Sequence, residues 1–208
     1  MYNLMSDKAE IDLKNRKAKK MMLWFGMISM AMMFAGFTSS IIVSGSRPDW
    51  LDSFSMPTWF LYSTVSIIFS SVFFQLAKVS LDKYVKYAPI ENSNLHLHRK
   101  NVNIYLCFTA ILAIIFVVSQ FLGLGEIISL GFHFTGPGSS VTTSFIYVLV
   151  CVHLVHLFAG LIALSVVIIR FNNKKYEKNK LGFELALMFW HFLGALWTYL
   201  FLFIKYFT

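Results

Sequence analysis

Long uncharged apolar runs alternate with short basic segments along the whole chain. The first uncharged run lies between Lys20 and Arg47, the second between Asp52 and Lys78, and the third between Lys100 and Glu126. A fourth sits within the run from Glu126 to Arg170, and a fifth lies between Glu184 and Lys205. A helix needs roughly 20 apolar residues to cross a bilayer, so each run holds one crossing. The fourth run is too long for a single helix, and Gly136, Pro137 and Gly138 interrupt it, which sets the helix start near Val141. The pattern predicts an all-α integral membrane bundle of five transmembrane helices, at about 21–45, 54–79, 101–125, 141–170 and 183–206. Residues 1–20 form a basic tail before the transmembrane domain of residues 21–208. The alternating segments of about 10 residues that mark a membrane barrel are absent.

Charge gives the bundle a direction. Sixteen of the 18 Lys and Arg residues fall in the tail, the second loop and the fourth loop; only Arg47 and Lys205 fall on the other side. Basic residues are retained on the cytoplasmic face, so the N-terminus is expected inside and the C-terminus outside. The net charge of +8 follows from this asymmetry. Because the cations flank the spans, they suit anionic lipid headgroups; no recognition motif points to nucleic acid. The polar N-terminal stretch, followed by a long apolar run, does not read as a cleavable signal peptide.

Composition fits lipid as the solvent. Of 208 residues 57% are hydrophobic and 13% charged, against about 45–50% and 25% in a soluble domain. The two cysteines, Cys107 and Cys151, lie within spans and are expected to be reduced, buried packing residues. No fixed-period repeat points to a solenoid.

Ionisable groups inside a span are costly and often functional. The chain places four there: His153 and His156 in the fourth helix, Glu184 and His191 in the fifth. The histidines are three apart and share a face. Glu184 and His191 are seven apart, as are Trp190 and Trp197. One reading turns these groups inward to hydrogen-bond one another, with the tryptophans as packing. Other readings make them haem or non-haem metal ligands, or a proton relay. Depth weighs against a shared haem: His156 lies roughly 20 Å and His191 roughly 10 Å from the inner ends of their helices. Hydrolase and nucleotide-binding motifs are absent.

The same residues carry a family resemblance. Phe183-Glu184, then Trp190-His191-Phe192 and Trp197, resemble the F-E…W-H-F-x-D-x-x-W ending of subunit III of the haem–copper terminal oxidases. His153-x-x-His156 with Gly160 is similar to that family's H-x-x-H-x-x-x-G stretch. Ser63-Thr64, Ser70-Ser71 and Ala77 resemble its N-T…S-S…A pattern in the second helix, and Ser29 with Phe34-Ala35-Gly36 its S-E-x-x-x-F-A-G segment. Gln120 matches a glutamine late in the third helix. The resemblance runs from about Lys20 to the C-terminus and is similar to the five-helix bacterial form. Three positions depart from it: Met30 replaces a glutamate, Gly194 an aspartate and Ser63 an asparagine.

The resemblance implies a non-catalytic subunit in the bacterial cytoplasmic (inner) membrane. It implies no catalytic residue, cofactor or metal in this chain. Haem and copper would belong to partner subunits I and II, with bound phospholipid here and a respiratory supercomplex as a further setting. The family-motif polar cluster is then His153, His156, Glu184, His191, Trp190, Trp197, Ser70 and Ser71. Within the family the alternative is an accessory subunit of nitric oxide reductase. Outside it stand a haem b membrane anchor and a small transporter, although the broken helices expected of a transporter are missing. Small residues such as Gly26, Ala35, Gly36, Ser39, Ser40, Ser70, Ser71, Ala77, Gly160 and Ala163 permit close helix approach. The sequence leaves open whether they pack inside the chain or against a partner.

Overall fold

The computed structural model describes residues 2–46, 56–87, 95–134, 136, 140–173, 176 and 180–207, with side chains from Glu10 in the first helix and Leu97 in the third. Among the described residues there are five long helices and no strand: α1 Tyr2–Ser44, α2 Thr58–Tyr87, α3 Leu95–Ser129, α4 Val141–Asn172 and α5 Leu181–Phe207. All five are long and apolar enough to cross a membrane. The chain is a multi-pass membrane protein.

Several helices outrun the apolar stretches that announce them. α1 is continuous through the basic segment, and its 43 residues measure about 64 Å at 1.5 Å per residue, twice a hydrocarbon core of about 30 Å. Lysine and arginine are good helix formers, so nothing in the basic segment stops the hydrogen-bond ladder at the membrane surface. α2 and α3 likewise extend beyond 54–79 and 101–125 at their basic ends. At its other end α2 begins only after Pro57, whose carbonyl accepts from Phe60 N–H; proline disfavours helical geometry in the residue before it.

α4 starts where Gly136, at φ 101°, ends the preceding run; Pro137 and Gly138 lie outside the described residues, as do Arg47, Glu91, Lys174, Lys175 and Lys178. Ser140 caps α4 in extended geometry, accepting from Thr143 N–H while Thr143 Oγ1 accepts from Ser140 N–H. This reciprocal box satisfies two backbone donors that would otherwise be free.

Interlocking small and aromatic residues hold the bundle. α2 and α3 form the closest pair: Ser70 Oγ donates to Thr109 O at 3.1 Å and Ser66 Oγ to Leu112 O at 3.4 Å. Gly123 of α3 accepts the Phe60 ring against its backbone, where a Cβ would lie 3.0 Å from the ring. α5 occupies the middle, with α1, α2 and α4 as backbone neighbours, whereas α1 neighbours only α4 and α5 among the described residues. Gly160 of α4 lies so close to α5 that a Cβ would meet Leu193 Cδ1 at 2.7 Å.

The small residues thus separate by burial, with Gly26, Ser71 and Ala163 half-buried. Ser70, Ala77 and Gly160 are buried inside the bundle, while Ala35, Gly36, Ser39 and Ser40 of α1 face outward. Among the described residues nothing lies within 4 Å of a Cβ built at Gly26 or Gly36. Cys107 and Cys151 are free and exposed, which corrects the expectation of burial. Both lie off the buried stripes of their helices, and on a lipid-facing surface a thiol meets no desolvation penalty that would drive it inward.

Candidate functional site

A polar and aromatic column runs along α5 where it meets α2 and α4. Heptad spacing places Phe183, Trp190 and Trp197 on one buried face of the helix. Phe183 and Trp190 both meet Phe74 of α2, with ring centroids 5.3 and 6.4 Å apart. An indole N–H buried away from water needs an acceptor, and α2 supplies one for each. Trp190 Nε1–H donates to Ser70 Oγ at 3.2 Å, and Trp197 Nε1–H to Thr64 Oγ1 at 3.0 Å. Ser70 also donates to Thr109 O, so one hydroxyl joins α2, α3 and α5. A second buried link is Gln120 Nε2–H to Ser63 Oγ at 2.7 Å.

His153 lies at the centre of this column. It is fully buried, and neither ring nitrogen has a hydrogen-bond partner among the described residues. Its neighbours are aromatic: Trp197 at 5.1 Å, Phe116 at 6.1 Å and Phe34 at 6.3 Å between ring centroids. Three helices besides its own therefore close a box around the imidazole. Gln120 Oε1 is the other buried side-chain atom within the spans that lacks a partner among the described residues.

The remaining ionisable groups go elsewhere, and the expected mutual hydrogen bonding does not occur. His156 donates through Nδ1 to Val152 O at 2.8 Å on its own helix and stands beside Phe34 of α1. His191 turns to α2, donating through Nε2 to Gln75 Oε1 at 3.3 Å. Glu184 reaches α1 and pairs with Lys20 at 2.9 Å. The helical spacing is as expected; the separation follows from which neighbour each face meets. α4 presents His153 to α1, α3 and α5 together and His156 to α1, while α5 presents His191 to α2. Among the described residues no three His, Cys, Asp or Glu side chains come together as a metal set.

Ser71 joins the groove beside His191 rather than the column. This groove of about 440 Å³ between α2 and α5 is lined by Val72, Gln75, His191 and Gly194 among others. A Cβ on Gly194 would lie 3.3 Å from Ser71 Oγ, so the glycine leaves this stretch of the groove open. At the N-terminal end of α5, Tyr176 stacks edge-on against Phe183. Burial pushes its phenol above the ordinary value, with Arg170 pulling the other way.

Sequence reasoning missed three contacts. Thr38 of α1 bonds Tyr199 of α5 at 3.0 Å; because the Thr38 hydroxyl donates to Ala35 O, the phenol donates to Thr38. Gln75 as the partner of His191, and Lys20 as the partner of Glu184, were also unassigned. Each is a polar residue within or at the edge of an apolar run, which is itself the signal that a neighbour must answer it.

Residues 83–208 match the family described as Cytochrome c oxidase subunit III. A stretch of 112 residues is 31% identical to the cytochrome bo(3) ubiquinol oxidase subunit 3 of Buchnera aphidicola subsp. Baizongia pistaciae (strain Bp), covering 50% of this chain and 56% of that protein. The chain thus spans little more than half the length of this relative.

Proposed function

The chain belongs to the cytochrome c oxidase subunit III family, and from that membership we propose that it is the non-catalytic third subunit of a respiratory haem–copper terminal oxidase. The complex reduces dioxygen to water and moves protons across the bacterial cytoplasmic membrane, with haem and copper in subunits I and II. The family match over residues 83–208 carries this reading, because that stretch holds the Trp190-His191-Phe192 segment and the paired histidines of α4. The N-terminus and the loop around Glu91 lie in the cytoplasm and the C-terminus in the periplasm, following the basic residues. The relative named for a ubiquinol oxidase favours a quinol over cytochrome c as electron donor to the complex.

The chain's part is structural. The outward face of α1, with Gly36, Ser39 and Ser40 unused inside the bundle, is suited to close packing against a helix of subunit I. Phospholipids fill the remaining surface and keep that flank of subunit I ordered. Removing the chain uncovers the flank and alters water and proton access to the uptake path.

The test is oxygen consumption and proton release by the purified complex with and without this chain, using quinol and reduced cytochrome c in turn. Electron transfer at near-normal initial rate, followed by slower proton uptake or loss of activity over many turnovers, is the expected outcome. An initial rate of zero together with a haem lost only with this chain would defeat the accessory role.

A further inference from the structure

At the inner end of the bundle the basic extension of α1 closes a pocket against the last turn of α2 and the first turn of α5. The pocket holds about 450 Å³ and is lined by Leu13, Arg16, Lys17 and Lys20 of α1, with Val85, Lys180, Leu181 and Glu184 opposite. The four α1 residues follow an i, i+3, i+4, i+7 pattern and so form one stripe of the helix. Two carboxylates face the cations and both are engaged: Glu184 with Lys20 at 2.9 Å and Asp82 with Lys180 at 2.7 Å. Arg16 and Lys17, both exposed, have no carboxylate partner among the described residues. Two uncompensated positive charges therefore line a pocket whose other surfaces include leucine and valine.

Depth identifies what meets it. Lys20 is the last charge before the uncharged run of α1, which sets it at the edge of the hydrocarbon. Arg16 and Lys17 lie three to four residues further out, about 5–6 Å along the axis. The headgroup layer on each side of the core is about 5–7 Å thick. The unpaired cations thus sit at phosphate level, with Leu13, Val85 and Leu181 available to the glycerol and upper acyl carbons. Arginine suits such a partner because its planar fork bonds two phosphate oxygens at once.

We propose that this pocket is a binding site for one anionic phospholipid of the inner leaflet, its phosphodiester held by Arg16 and Lys17. The site rests on the reading of the chain as a lipid-associated membrane subunit, and it assigns to the α1 extension the role of a headgroup clamp that ties α1 to α5. The Lys20–Glu184 pair fixes the wall of the pocket and is not itself available to the lipid.

Native mass spectrometry of the whole chain, released from detergent with phosphatidylglycerol or phosphatidylcholine added, reads the site directly. The chain should retain one phosphatidylglycerol in preference to phosphatidylcholine. Arg16→Gln with Lys17→Gln should weaken that retention roughly 25-fold, about fivefold per cation near the surface. Lys14→Gln with Lys19→Gln removes the same charge from positions that do not line the pocket and should change it less than about threefold. Equal losses in the two double variants would reduce the effect to a diffuse field and overturn the site. Displacement of the lipid by millimolar inorganic phosphate would overturn it in favour of a small-anion site. If no lipid is retained while the chain still co-purifies with oxidase subunits, the clamp falls and the family role stands.

Discussion

Ser70→Ala removes one oxygen atom from the interior of the bundle, and the structure sets what that atom is worth. The hydroxyl donates to Thr109 O of α3 and accepts from Trp190 Nε1–H of α5. Losing the first bond costs about 0.6 kcal/mol, the average for interhelical hydrogen bonds measured within membranes. The second loss is heavier, because Trp190 is 1% exposed and its N–H would be left buried without an acceptor, at about 1–3 kcal/mol. The total is roughly 2–4 kcal/mol for a substitution that opens almost no cavity. The two parts separate in a double-mutant cycle with Trp190→Phe, in which no N–H remains to be orphaned. In that background Ser70→Ala should cost only about 0.6 kcal/mol, leaving a coupling of roughly 1–3 kcal/mol. Reversible unfolding of the chain in mixed micelles measures all four corners, and any cavity left by Trp190→Phe cancels between them. Additivity within about 0.5 kcal/mol, the behaviour of independent sites, would show that the indole draws no stability from Ser70 and would refute the reasoning.

Other substitutions test the remaining features. His153→Phe keeps a ring in the aromatic box and removes two buried nitrogens without partners, so unfolding should show a change within about 1 kcal/mol or a gain, whereas His153→Ala should cost about 2–4 kcal/mol through its cavity. Equal large losses for both would mean that the imidazole nitrogens matter. Gly160→Val drives side-chain atoms into Leu193 and should cost about 1–3 kcal/mol; Gly36→Val, with open space around it, should leave the isolated chain within about 0.5 kcal/mol and lower its recovery with oxidase partners. A fall in stability of the isolated Gly36→Val chain would remove the evidence for an outward docking face. Reporter fusions check the topology: one after Thr208 should read as periplasmic and one near Glu91 as cytoplasmic, and a cytoplasmic C-terminal signal would break the orientation.

The sequence by itself determined the five crossings, because a bilayer demands apolar length and internally satisfied backbones, and both are written in consecutive residues. Heptad and i+3 spacing likewise put Trp190 with Trp197, and His153 with His156, on shared faces before any packing was known. What the sequence could not contain was the identity of the neighbour across each face. His153 and His156 are three residues apart, yet one is sealed among Phe34, Phe116 and Trp197 while the other bonds its own backbone beside α1. That difference depends on where α1, α3 and α5 stand around α4, which local periodicity does not encode. The division of the small residues was decided the same way. Ser70 and Gly160 have helices against them and Gly36 has none among the described residues, although all three invite close approach equally. Even the end of α1 depended on more than hydropathy. Apolar length marks where lipid begins, but a helix stops only where its hydrogen-bond ladder is broken, and the basic segment before Lys20 does not break it.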